Sequence, residues 1–347
     1  MKMKRRLLCV LLCIVMLCVG LCGCSNADTA VSISSAKLSN GIYAYYLDYV
    51  LSYPEQAGLV EGYTESDVKQ AVKRLCASHI AISSICAEEG FSLSIIEKSD
   101  VAAKVENEWS LFSSYYSKIG VSKQDYTSVV TNNAKKELIL ESYYGTQGVE
   151  PVSNEDVVKA FNEKFVGFKA ITGYLTPISQ GVDSFTEQEL AAISAEFESM
   201  ASQVNSGADI NKLNTTYNES QGLSGPSELS IIVIDDADTT YSEGFFSQVK
   251  ALERGKAGVV KTDDYIYVIQ RIDISADSYV SQHKIEVLEH LKSGDLQQML
   301  ENWIAEHPKM KTHGSFNSIY RNIVDVRADR TENIKETTTE AEQSTAE

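Results

Sequence analysis

Beyond residue 24 this chain of 347 residues holds only two of its seven cysteines, Cys76 and Cys86. They fall on one predicted helix, their Cα atoms roughly 15 Å apart at ~1.5 Å per residue, beyond the ~7 Å reach of a disulfide. Two buried free thiols are expected, and a cysteine–histidine metal site with His79 would need more ligands than the segment offers. Histidine is scarce too. The five are His79, His283, His290, His307 and His313, and none lies between Phe168 and Asp273, a stretch that also lacks cysteine. No metal or organic cofactor is indicated, because the acidic pairs Asp235-Asp236 and Asp263-Asp264 lack the loop spacing of a calcium site and read as solvated turn formers.

Charge is absent from Leu7 to Leu21, an apolar run preceded by Lys2, Lys4, Arg5 and Arg6. A basic start and a run this short form a signal peptide rather than a comfortable membrane span. The run ends at Leu21-Cys22-Gly23-Cys24, which resembles the lipobox of bacterial lipoproteins, with Cys22 a less usual occupant of its slot. The resemblance implies cleavage after residue 23, a lipid on Cys24, and a mature protein tethered to the extracytoplasmic face of the bacterial cell membrane. Four of the 31 basic residues and none of the 48 acidic ones leave with the leader, so the mature chain carries 27 against 48, a net of −21. That balance argues against nucleic acid or an anionic membrane surface as a partner. At the other end, 328–347 has one aliphatic residue larger than alanine and no aromatic, which predicts a disordered acidic tail.

No strand pattern stands out before Phe165. Tyr43, Tyr46, Leu47, Val50 and Leu51 make one helical stripe, and Pro54 marks its end. A second helix is capped by Thr64 and closed by Gly90, with Val68, Val72, Leu75, His79, Ile82 and Cys86 along a seam, where His79 reads as a packed, hydrogen-bonded residue. A third carries Val101, Val105, Trp109, Phe112, Tyr116 and Ile119 on what reads as a core face and ends at Gly120. A fourth runs from about Ser122 to Tyr144, and Ser153 caps a fifth. From Phe168 the period changes. FKAITGYLTPI reads as a strand, Glu187 to Asn205 and ADINKLNTTY as helices, IIVI as a strand, GFFSQVKAL as a short helix, and GVVKTDDYIYVIQRID as strand, turn and strand. In the last strand Tyr265, Tyr267, Ile269 and Arg271 alternate with Ile266, Val268, Gln270 and Ile272, the period of a strand with one face in a core. Helical sequence then returns, with Trp303 in an apolar set that cannot be buried alone. The fold class is α+β, a chain that leaves a helical domain and comes back to it.

Four segments resemble the extracytoplasmic foldases of the PrsA and SurA type, whose helical chaperone domain carries an inserted parvulin rotamase domain. Glu89-Gly90-Phe91-Ser92, Gly120-Val121-Ser122 and Val152-Ser153-Asn154-Glu155-Asp156-Val157 are similar to the family's helix starts. Gly207-Ala208-Asp209 with Tyr217 resembles its Gly-Ala-Asp-Phe motif, Leu252 to Lys256 with Val260-Lys261-Thr262-Asp263 the approach to its final strand, and the Trp303 helix its returning segment. The resemblance implies a signal peptide at 1–23, a lipidated tether at 24–37, a helical chaperone domain at 38–165 completed by 276–327, a parvulin-like domain at 166–275 and the tail at 328–347. Its catalytic pattern does not carry over. The family's first histidine falls at Thr172, or one place later at Gly173, the second at Tyr267, and the middle cysteine or aspartate near Ser220. The implied function is a membrane-anchored folding factor that binds unfolded secreted polypeptides, with weak or no prolyl isomerase activity; the alternative is an active isomerase with a substituted site. Family analogy further implies a homodimer through the helical domain. A solute-binding lipoprotein would instead show two lobes of repeated strand and helix.

Overall fold

A computed structural model of the chain describes residues 28–177, 184–313 and 316–344, with side chains as far as Arg330. Cys24 and the rest of the leader lie outside the described residues. The chain divides into two compact units: one takes the residues up to Ile139 and returns with Gly294–Asn333, and the other holds Leu140–Ser293. The fold is α+β, a helical unit interrupted by a smaller unit built on a sheet.

The helical unit begins with strands, against expectation. β1 (Thr29–Ile33) and β2 (Ala36–Ser39) form an antiparallel hairpin, and β1 is buried along its whole length. The two-residue loop between them puts Ser34 at φ 54°, the left-handed region that tight hairpin loops require. Residues 29–37 therefore belong to a hairpin whose first strand is in the core, rather than to a tether. On its other edge β1 pairs with β7 (Lys311–Thr312), Val31 facing Thr312. The start and the return of the chain thus share one three-stranded sheet.

Helices α1 (Asn40–Ser52), α2 (Glu65–Glu88), α3 (Ile95–Lys118) and α4 (Lys123–Tyr144) follow. Their starts are locally encoded. The Ser39 hydroxyl accepts from the Ile42 N–H, and Thr64 and Asp67 close a capping box that satisfies two orphan donors of α2. Tyr43, Leu47 and Val50 of α1 and Val68, Val72, Ile82 and Cys86 of α2 are buried as their spacing predicts, Leu75 is half-buried, and Cys76 is buried beside them. Both cysteines are free. His79 is 4% exposed and Nδ1 meets the Tyr46 hydroxyl at 2.9 Å, so it is a packed histidine. On the returning helix, Trp303 donates from Nε1 to the Glu88 carboxylate at 3.1 Å. The sequence's need for a partner for Trp303 is met by the end of α2. Among the described residues no helix is long and apolar enough to cross a membrane.

The final helix runs from Phe316 to Ser344, so the backbone from Ala328 to Ser344 is helical where composition predicts an unstructured tail. Once Phe316 and Ile323 pack, each further residue adds a hydrogen bond without paying again for nucleation, and apolar content is not needed to extend it.

The sheet unit has antiparallel order β4-β3-β6-β5, from β3 (Phe165–Tyr174), β4 (Ile232–Asp235), β5 (Ala257–Lys261) and β6 (Tyr265–Ile272). β3 follows directly on α5 (Asn154–Lys164), whose cap is Ser153. Helices α6 (Glu187–Asn205) and α7 (Ile210–Ser220) cover one face, packing Phe197, Met200 and Tyr217 on Ile171, Ile266 and Val268. Helix α8 (Phe245–Ala251) covers the other, with Phe245 and Val249 against Phe168, Val260, Tyr267 and Ile269. The alternation in β6 therefore marks two covered faces rather than one. The compact unit also extends beyond 166–275. Phe161 of α5 stacks on Phe165 at 5.0 Å, the His283 ring lies 6.0 Å from Phe161, and Lys284 at the start of α10 (Lys284–Glu306) pairs with Glu141 at 2.9 Å. Between β6 and α10 lies the short α9 (Asp277–Gln282), and the helix from Phe316 is α11.

Candidate functional site

Within the sheet unit, Thr172 of β3 and Tyr267 of β6 are register partners and stand side by side on one face. Gly173 points to the other face, where a β-carbon would collide with the Phe197 ring and come within 2.8 Å of the Tyr217 hydroxyl. A side chain there would have to displace both rings. Thr172 is exposed, whereas Tyr267 is 8% exposed, its ring edge-on to Phe245 at 5.2 Å and 6.1 Å from Tyr265. Tyr174 and Tyr265 continue the aromatic row at 5.6 Å. Burial first, then the neighbouring phenols of Tyr241 and Tyr265, raises the Tyr267 hydroxyl above the ordinary tyrosine range, so it stays protonated and able to donate. Ser220 does not join this pair. It is exposed, its hydroxyl donates to the Tyr217 carbonyl at 2.7 Å, and α7 packs on the opposite face. The patch can bind an apolar group and offer hydrogen bonds, but it holds no imidazole or thiol to organise a relay.

The second surface lies wholly in the helical unit. Helix α1 buries one stripe and turns another outward: Tyr45, Asp48, Tyr49 and Ser52, spaced i, i+3, i+4 and i+7. Across from it stand Phe112, Tyr115 and Tyr116 of α3, and Arg327 and Arg330 of α11 close the side. Together they line a groove of about 430 Å³. Its floor is stacked: Tyr116 lies 5.1 Å from Tyr126 and 5.9 Å from Trp109, and Tyr45 is 6.0 Å from Tyr116. Phe112 is 46% exposed.

Charge in the groove is ordered. Asp48 accepts from the Tyr115 hydroxyl at 2.5 Å and from Arg327 Nη1 at 3.1 Å, and Arg327 also donates to the Ser52 hydroxyl at 2.6 Å. Arg330 lies over the Tyr115 ring, 5.5 Å from its centroid. Burial, followed by the carboxylates of Asp48 and Glu108, pushes the Tyr116 phenol up to about 12. Tyr45 is raised by the same burial, with Tyr116 and Glu108 beside it. All these hydroxyls are protonated at neutral pH. The groove thus presents aromatic faces, hydroxyl donors and guanidinium groups, a combination suited to an extended polypeptide.

The third-helix stripe is where expectation and structure part. Only Val105 and Ile119 of it are buried; Trp109 and Tyr116 are half-buried and Phe112 is exposed. A stripe facing a groove has the same period as one facing a core. The available signal was the second stripe on α1, since Tyr45, Tyr49 and Tyr53 follow at i, i+4 and i+8 beside the buried one.

No known protein family matches the chain, and no curated protein matches it in sequence. Among solved structures it is similar to the foldase protein PrsA from Streptococcus pneumoniae, with 14% identity, a TM-score of 0.40 and coverage of 85% of this chain and 99% of that one. It is also similar to the foldase protein PrsA from Lactococcus lactis, with 10% identity, a TM-score of 0.36 and coverage of 85% and 98%. The third is PrsA from Bacillus subtilis, with 11% identity, a TM-score of 0.31 and coverage of 85% and 98%.

Proposed function

We propose that this chain is a lipid-anchored extracytoplasmic folding factor that holds unfolded stretches of secreted polypeptides in its tyrosine groove. The observation that carries the reading is the groove itself, where half-buried and exposed aromatic rings lie beside protonated hydroxyls in a cleft of about 430 Å³. Rings accept varied apolar side chains, and phenols reach the backbone carbonyls that an unfolded segment leaves unpaired. The basic leader, the apolar run and the lipobox-like Leu21-Cys22-Gly23-Cys24 support export and a lipid on Cys24.

In this reading the sheet unit is a parvulin-like module with weak or no isomerase activity. The motif around Gly207-Ala208-Asp209 supports the relationship, and Thr172 beside Tyr267, in place of a histidine pair, supports the loss. Uncatalysed isomerisation faces a barrier of about 18–20 kcal/mol, and lowering it takes a cleft whose shape is held in place. The test uses the leader-free chain, Ser25 to Glu347, against a client that aggregates on dilution from denaturant. Suppression near stoichiometric ratio is expected, and no suppression at excess contradicts the reading. A protease-coupled proline assay separates the alternative. Background rates in the native chain and in Tyr267→Ala are expected; a native rate above background that falls in Tyr267→Ala means a working isomerase.

A further inference from the structure

The groove's two guanidinium groups have different tasks, and the difference indicates which segments it takes. Arg327 is a structural tie. It donates to Asp48, to the Ser52 hydroxyl and to the Leu51 carbonyl, and Asp48 is further held by the Tyr115 hydroxyl. That pair offers a ligand no net charge. Arg330, one turn further along α11, lines the same groove, is exposed, and stacks on Tyr115. Stacking engages the flat face of a guanidinium, whereas its N–H donors lie in the plane and project from the edge, where a carboxylate accepts two of them.

We propose that Arg330 makes the tyrosine groove selective for extended segments that carry a side-chain carboxylate next to an aromatic residue. The proposal rests on the folding-factor reading and names the class of client that the site prefers. The client's ring lies on the aromatic floor formed by Tyr45 and Tyr116, and its carboxylate reaches the Arg330 edge. The preference runs opposite to the one that the chain's acidic balance suggests. An overall negative charge favours cationic clients at long range, but that field is screened over about 8–10 Å at ordinary ionic strength, and the contact inside the groove decides residence.

The test is fluorescence anisotropy with labelled peptides of one length, acetylated and amidated so that no terminal charge competes. One set places Phe beside Glu, one Phe beside Lys, and one Ala beside Glu. The leader-free chain is expected to bind the Phe–Glu peptide about fivefold more tightly than the Phe–Lys peptide, the scale of an ion pair at an exposed site. It is expected to bind Ala–Glu more weakly than Phe–Glu. Arg330→Glu is expected to invert the Glu-over-Lys preference, and Arg330→Lys to keep its sign at a smaller ratio. The exposed position keeps both variants folded, which their urea midpoints check. Binding of Phe–Glu and Phe–Lys with equal affinity, or a preference unchanged in Arg330→Glu, overturns this proposal and leaves the folding-factor reading in place. Failure to bind any of the peptides, together with no suppression of aggregation, overturns both.

Discussion

His79 ties the stability of the helical unit to pH. Burial first, and the Lys135 ammonium second, lowers its pKa from 6.5 to about 4, and the neutral ring meets the Tyr46 hydroxyl at 2.9 Å. The folded chain keeps this imidazole uncharged down to about pH 4, while the unfolded chain takes up a proton below 6.5. Its contribution is therefore complete above the unfolded value and is lost as pH falls toward the folded one. Linkage puts the loss at about 2 kcal/mol between pH 7.5 and pH 5, with a ceiling of about 3 kcal/mol. Carboxylates titrate over the same range, so the comparison is between the native chain and His79→Gln. The variant carries a roughly constant offset of about 1–2 kcal/mol for the disturbed Tyr46 contact, and lacks the imidazole's slope. Urea unfolding of the leader-free chain measures both, followed by the fluorescence of Trp109 and Trp303, which both lie in the helical unit. The native chain's advantage of about 1–2 kcal/mol at pH 7.5 should fall by about 2 kcal/mol by pH 5, so that the two chains become equal or change order. Parallel curves over that interval would refute the buried, neutral histidine.

Other consequences are more local. Gly173→Ala sets a methyl group against the Phe197 ring and is expected to cost about 1–3 kcal/mol by overpacking, read as a lower urea midpoint for the sheet unit, whereas Thr172→Ala, at an exposed site, changes it by less than about 0.5 kcal/mol. Trp303→Phe keeps most of the ring but removes the donor to Glu88, for an expected loss of about 1.5–3 kcal/mol measured by the same unfolding. Thr64→Ala opens the capping box of α2 and should cost about 1 kcal/mol.

Features encoded within a few residues were legible in the sequence. Thr64 and Ser153 cap their helices, and Gly90 and Gly120 end theirs at φ 73° and 83°, because a cap depends on its neighbours and not on the fold. The change of period near Phe168 announced the sheet unit, and the need to bury Trp303 announced the return of the chain. The β2-β1-β7 sheet was not legible. Its strands have five, four and two residues, and β7 joins β1 across most of the chain, so no local pattern marks it. The groove was hidden for another reason. Periodicity reports that one face of α3 differs from the other, but not whether that face meets a packed partner or a concave surface. Thr172, Ser220 and Tyr267 came from the family resemblance alone; Thr172 and Tyr267 are register partners, whereas Ser220 lies on the helix that packs on the other side of the sheet.

In the proposed function an unfolded polypeptide binds in the tyrosine groove. A photoreactive phenylalanine analogue placed at position 112, which is 46% exposed in the groove, tests it against the same analogue at position 96, 74% exposed near the other end of α3. Crosslinking of a denatured client at position 112, competed by excess unlabelled client and weak or absent at position 96, is the predicted result. Equal crosslinking at both positions, or none at position 112, would contradict it.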